Sequence, residues 1–169
     1  MHLILQPMTD GITIRKIQPE DNKSLALIIR NALEEFGANK PGTVYFDPTT
    51  DNLYQLFQQE RSVYYVAVKE GAVVGGGGIY PTDGLPDDTC ELVKMYLKPE
   101  VRGMGLGRML IEKSLRFASE AGFKQVYLET MPELGNALKA YQKLGFEYIS
   151  APIGNSGHFG CELWMLKKL

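Results

Sequence analysis

Between Gly11 and Ile17, Ile12 and Ile14 alternate with Thr13 and Arg15, the period of a strand with one buried face, and "QPEDN" then supplies turn residues and a helix start. From Ser24 to Phe36 the period changes: Leu25, Ile28, Ile29, Ala32, Leu33 and Phe36 follow helical spacing, and Gly37 stands where a C-cap belongs. "ANKPGTVYFDPTT" reads as a loop leading to a second helix over about Asp51 to Gln59. Ser62 to Val68, "SVYYVAV", is β-branched and aromatic, and "KEGA" turns it into "VVGGGGIY", which predicts a hairpin. The run Gly75 to Gly78 weakens a strand by propensity, so it marks either a close approach of backbone or ligand, or a bulge. A further strand runs from Cys90 to Leu97 and stops at Lys98-Pro99. Beyond it, Leu106, Leu110, Ile111, Leu115 and Ala118 share one helical face up to Gly122. "KQVYLET" is the next strand and "GNALKAYQKLG" the next helix; "FEYIS" and "CELWMLKKL" are closing strands around the loop "APIGNSGHFG".

Composition adds limits rather than detail. The 169 residues suit one domain over residues 1–169, and 44% hydrophobic with 22% charged residues is globular. A formal net charge of −2 argues against a nucleic-acid partner. The start "MHLILQPMTDG" lacks the cationic segment and cleavage site of a secretory signal, and no apolar run approaches a membrane span, so a cytoplasmic location without membrane association is expected. Cys90 and Cys161 have no CxxC spacing and are accompanied by only two histidines; buried free thiols are expected, and no metal.

The connection after the Cys90–Leu97 strand carries the chemistry. In "PEVRGMGLGRML", Gly103, Gly105 and Gly107 lie between a strand and a helix, where unpaired amides carry the positive end of the helix dipole. Such a turn accepts an anion, a pyrophosphate above all, with Arg102 and Arg108 adding charge. The dinucleotide fingerprint would need glycine at Arg108, and the Gly-Lys-Ser/Thr ending of a P-loop is absent.

Arg102, Gly105 and Gly107 follow "MYLKP", and downstream Ala137 stands four residues before Tyr141, with Leu144, Gly145 and Phe146 after it. These two motifs, in this order, resemble those of the GNAT superfamily of acyl-coenzyme-A-dependent N-acetyltransferases, and the order of elements from about Gly11 to Leu169 is compatible with it. The resemblance implies a single α/β (α+β) domain with a mixed, mostly antiparallel sheet of about six to seven strands, flanked by about four helices and splayed where the coenzyme binds. It implies acetyl-CoA as cosubstrate and an amine-bearing molecule as acceptor, and it allows a homodimer. Backbone groups of Met95, Tyr96 and Leu97 would then pair with the pantetheine arm. Arg102, Gly103, Met104, Gly105, Leu106, Gly107 and Arg108 would hold the pyrophosphate. The asparagine that many relatives carry seven residues before the tyrosine falls on Leu134; Asn136 is near but displaced.

Acetyl transfer needs a deprotonated amine and a protonated leaving thiolate. At its strand position, Glu91 matches a glutamate that serves relatives as general base, directly or through water; a solvated strand-end carboxylate is the alternative. Strict alternation would put Glu91, Val93, Met95 and Leu97 on one face unless a bulge intervenes. Tyr141 matches the family's general acid, and the same spacing would let it simply pack with Leu138 and Leu144. His158 is an alternative base, a substrate contact or an exposed side chain; Tyr45, Phe46 and Tyr80 could line an acceptor pocket. A non-catalytic acyl-CoA sensor would need the glycine loop but neither Glu91 nor Tyr141.

Overall fold

The computed structural model describes residues 11–169. Seven strands form one sheet: β1 (Ile12–Lys16), β2 (Val63–Lys69), β3 (Ala72–Tyr80), β4 (Thr89–Leu97), β5 (Gln125–Thr130), β6 (Glu147–Ile149) and β7 (Leu163–Lys168). Their spatial order is β1-β2-β3-β4-β5-β7-β6. Only the β4–β5 pairing is parallel; every other neighbouring pair is antiparallel. The helices are α1 (Asn22–Glu35), α2 (Leu53–Leu56), α3 (Leu106–Glu120) and α4 (Gly135–Lys143). This is the mixed, mostly antiparallel architecture that the resemblance implies.

Apolar residues on the two sheet faces form two cores. Under α3 and α4, Leu106, Leu110, Ile111 and Tyr141 pack with Ile14, Val63, Ile79, Leu92, Val126 and Met165. On the opposite face, Leu25, Ile29 and Leu33 of α1 pack with Leu53, Phe57, Tyr64 and Val66. The helical stripe read from Leu25 to Leu33 therefore works as a core face. The second helix is shorter than its pattern suggests. Asp47 caps a 3-10 turn over Pro48–Asp51 by accepting from the Thr49 amide at 2.9 Å, and the non-helical backbone at Asn52 separates that turn from α2.

The glycine run of β3 is explained by crowding and by a bulge in the partner strand. A Cβ on Gly77 would lie 2.2 Å from the Met95 methyl, and one on Gly78 would lie 2.2 Å from the Val63 carbonyl oxygen. Opposite, β4 bulges: Gly76 faces Tyr96 while Gly78 faces Val93, and Lys94 takes a left-handed φ of 53°. The buried Tyr64 hydroxyl donates to the Lys94 carbonyl at 2.7 Å and fixes the bulge. Alternation accordingly fails in β4. Val93 and Tyr96 pack on the α1 side, whereas Met95 and Leu97 join Leu92 beneath α3, so Glu91 does not share a face with Met95 and Leu97.

Candidate active site

Strands β4 and β5 run together only from Thr89 opposite Gln125 to Glu91 opposite Tyr127. Beyond that they diverge, and a cleft of about 610 Å³ opens between Leu92–Leu97 and Leu128–Met131, lined also by Glu91, the glycine loop and Tyr141. From Leu92 onward β4 has no pairing with β5, so the cleft runs beside Met95, Tyr96 and Leu97. A cavity of this size is enough for an extended ligand arm.

At one end the glycine loop leads into α3. Gly103 and Gly105 have φ of 78° and 79°, left-handed values that glycine adopts without strain, and Gly105 is the N-cap. Arg102 N–H closes a 3-10 turn onto Pro99, and intrahelical bonding resumes with Met109 N–H to Gly105; between them, the amides of Gly103 to Arg108 meet no acceptor among the described residues. Successive donors at a helix N-terminus form an anion cradle. The two arginines are used differently. Arg102 donates to the Leu97 carbonyl at 2.9 Å and to the Glu35 carboxylate at 2.8 Å, so its side chain ties the loop to β4 and α1. Arg108 is largely exposed and pairs with Glu112 one helical turn on, at 2.8 Å.

The other end is acidic and buried. Glu91, near the start of β4, accepts from the Thr82 hydroxyl at 2.8 Å. Glu129 of β5 accepts from the Tyr127 hydroxyl at 2.7 Å and from the Ser156 hydroxyl. His158 reaches the same place: its Nδ1 is 3.9 Å from Glu129 Oε1, and its Nε2 is 2.9 Å from Asp47 Oδ2. That Asp47 oxygen also meets the buried Lys94 ammonium at 3.3 Å. The loop bearing His158 is held by the Asn155 amide on Asp83 O and the Gly160 amide on Gly42 O, both at 2.7 Å. Donor atoms of Glu91, Glu129 and His158 lie within 4.8 Å of one another, a metal-compatible trio in which both Glu129 oxygens and one Glu91 oxygen accept from hydroxyls.

Burial, reinforced by the neighbouring Glu129 carboxylate, pushes the Glu91 carboxyl up to about 8, against opposing contributions from the Thr82 hydroxyl and Lys94. A stability consequence follows. Between the ordinary carboxyl value of 4.5 and about 8 the folded chain keeps a proton that the unfolded chain has lost, so stability falls as pH rises through that window. Glu91→Gln lacks this ionisation. Its melting temperature relative to wild type should therefore climb from pH 5 to pH 8 and level off above; a difference that stays flat across that range would disprove the shifted ionisation.

Tyr141 lies buried on α4, edge-on to Phe146 with ring centroids 5.8 Å apart, and also lines the cleft. Burial raises its phenol to about 12, which keeps it protonated at neutral pH. Leu134 and Asn136 both line the cleft, and Leu134 also packs against the α1-side core. Tyr45, Phe46 and Tyr80 are not among the lining residues: Tyr45 donates to Glu34, Phe46 is exposed and Tyr80 packs on Phe57. Both cysteines are buried and free, Cys90 in β4 and Cys161 just before β7. Sequence reasoning passed over Glu129, Asp47 and Lys94. The one available signal was an acidic side chain in phase with Tyr127 within an otherwise apolar strand.

Three comparisons bear on this geometry. The model of the acetyltransferase (GNAT) family matches residues 29–146. YjgM of Escherichia coli strain K12, an uncharacterized N-acetyltransferase, is 44% identical over 158 residues, covering 92% of this chain and 94% of that protein. Two solved structures share the fold. An acetyltransferase from Streptococcus agalactiae superposes with a TM-score of 0.82 at 20% identity, covering 94% of this chain and 99% of the other. The PaiA N-acetyltransferase of Thermoplasma acidophilum, in complex with coenzyme A, superposes with a TM-score of 0.73 at 18% identity, again over 94% and 99%.

Proposed function

The chain belongs to the acetyltransferase (GNAT) family, and from that footing we propose that it moves an acetyl group from acetyl-CoA to an amine of a small molecule or protein by direct attack on the thioester. The observation that carries this reading is the run of acceptor-free amides from Gly103 to Arg108 at one end of a cleft whose other end holds the buried Glu91. The pyrophosphate of the donor sits on those amides. The pantetheine arm lies along Met95, Tyr96 and Leu97, where β4 has left β5, and adds main-chain hydrogen bonds as an extra strand would. The coenzyme-bound PaiA structure, which shares the fold, supports this choice of donor.

Glu91 takes the proton of the attacking amine. Its raised ionisation makes it a stronger base than an ordinary carboxylate once deprotonated, matched to work near neutral pH. Tyr141 supplies a proton to the departing thiolate. A non-catalytic sensor would have no use for either group, and membership in an acetyltransferase family goes against it.

Gly105→Val tests the donor site. The backbone there is left-handed, and a Cβ would meet nothing in the protein within 4 Å, so any loss reports the altered loop and the space claimed from the ligand. Calorimetry should show coenzyme A bound at least about tenfold more weakly, equivalent to about 1.4 kcal/mol. Pantetheine, which lacks the pyrophosphate, should bind both proteins alike. Unchanged coenzyme A affinity in a folded variant would refute the assignment. Following acetyl-CoA consumption against a panel of amines identifies the acceptor.

A further inference from the structure

A buried base that takes a proton on every turnover must also release it. Glu91 is only 3% exposed, and its one hydrogen-bonding side-chain partner, Thr82, is a hydroxyl that carries no charge away. A line of titratable groups leads outward from it. Glu91, Glu129 and His158 all line the cleft, and side-chain exposure rises from 5% for Glu129 to 14% for His158 and 19% for Asp47, which lies outside the lining. We propose that His158, gripped by Asp47 and facing Glu129, carries the proton taken up by Glu91 out of the site, so that Glu129, His158 and Asp47 form a proton relay behind the base.

The relay rests on the reading of Glu91 as the base, and its geometry is specific. His158 Nε2 lies 2.9 Å from Asp47 Oδ2, and its Nδ1 is turned towards Glu129 Oε1 at 3.9 Å. One bridging water or a small side-chain rotation closes that gap. Ser156 fixes the arrangement from within the same loop, its hydroxyl donating to Glu129 and accepting the His158 amide at 3.1 Å. The charged groups facing the imidazole are Asp47 from the loop before α2, Glu129 from β5 and Glu91 from β4, with Lys94 of β4 on the same Asp47 oxygen at 3.3 Å. Lys94 and His158 share one Asp47 oxygen, so Asp47 is anchored at the bulge while it orients the ring.

The proton bookkeeping is simple. An N–H bond of the attacking amine breaks as an O–H bond forms on Glu91. That O–H bond breaks as the proton passes, through Glu129, to His158 Nδ1, and the imidazolium then releases its Nε2 proton past Asp47 to solvent. No electrons change hands, and Glu91 returns to its carboxylate.

His158→Gln preserves a polar side chain of similar reach but cannot carry a proton. Its kcat should fall by about tenfold or more, while coenzyme A affinity and the KM for the amine stay at wild-type values. Added imidazole should restore kcat in a saturable way, after subtraction of its uncatalysed reaction with the thioester, and should leave wild type unaffected. Undiminished kcat overturns the relay. So does a diminished kcat that imidazole cannot raise, because a merely structural histidine is not replaced by a diffusing base. A second variant, independent of that one's folding, is Glu129→Gln, which interrupts the path between Glu91 and His158: its kcat should also fall by about tenfold or more, and an undiminished kcat refutes the relay. The two readings fail separately: full turnover by Glu91→Gln defeats the base, whereas a loss confined to Glu91→Gln, with His158→Gln at wild-type rates, defeats the relay alone.

Discussion

Replacing Glu91 with glutamine should lower turnover by roughly 100- to 10,000-fold, the usual contribution of a general base, while leaving coenzyme A affinity intact. The substitution is nearly isosteric, and the Thr82 hydroxyl, 2.8 Å from one carboxylate oxygen, keeps an acceptor in the amide oxygen. The pH profile gives the sharper test. With the Glu91 carboxyl raised to about 8, the basic form is scarce at pH 6 and dominant above pH 8. Wild-type kcat at saturating substrates should therefore rise with pH and flatten above about 8, and the variant should lose that ionisation. The ratio of the two rates is then largest at and above pH 8 and narrows as pH falls. Turnover and a pH profile indistinguishable from wild type would make Glu91 a structural carboxylate.

The glycine-loop end of the cleft was legible because its determinants are local. Gly103 and Gly105 need a backbone conformation that other residues avoid, and the strand, loop and helix that frame them follow one another directly from Thr89 to Glu120. The same holds for Tyr141, which a helical stripe and the turn at Gly145 place on α4. Even there the sequence spoke for the backbone better than for side chains: Arg102 turns from the cradle to Leu97 and Glu35.

The acidic end was largely hidden, and the reason is physical. Asp47 and His158 lie 111 positions apart and meet only because the loop before α2 and the loop before β7 dock through Gly42 and Gly160. No periodicity encodes such a contact. Asp47 caps the 3-10 turn with one oxygen, and its second oxygen serves Lys94 and His158. Lys94 itself is turned inward by a bulge whose cause lies in β3, where Gly77 leaves room for the Met95 side chain to cross the neighbouring strand. The alternation expected for β4 failed at that point, and the failure is what separates Glu91 and Val93 from Met95 and Leu97.

Tyr141→Phe should bind coenzyme A as wild type does and transfer acetyl groups more slowly. The ring that packs edge-on against Phe146 is retained, so the α4 core is preserved and only the oxygen is lost. At neutral pH the buried phenol, raised to about 12, is fully protonated and can donate to a thiolate that forms beside it. The size of the loss depends on how much the leaving group needs that proton. Coenzyme A thiolate is a poor leaving group, and about a hundredfold fall is expected, the lower end of the range for a general acid. An acyl donor with a more acidic thiol should shrink the difference between variant and wild type, because its thiolate departs without help. Single-turnover rates with both donors keep product release from masking the chemical step. Equal variant and wild-type rates with both donors would refute the acid role. An equal loss with both would place the hydroxyl in donor positioning instead, since positioning does not depend on the acidity of the departing thiol.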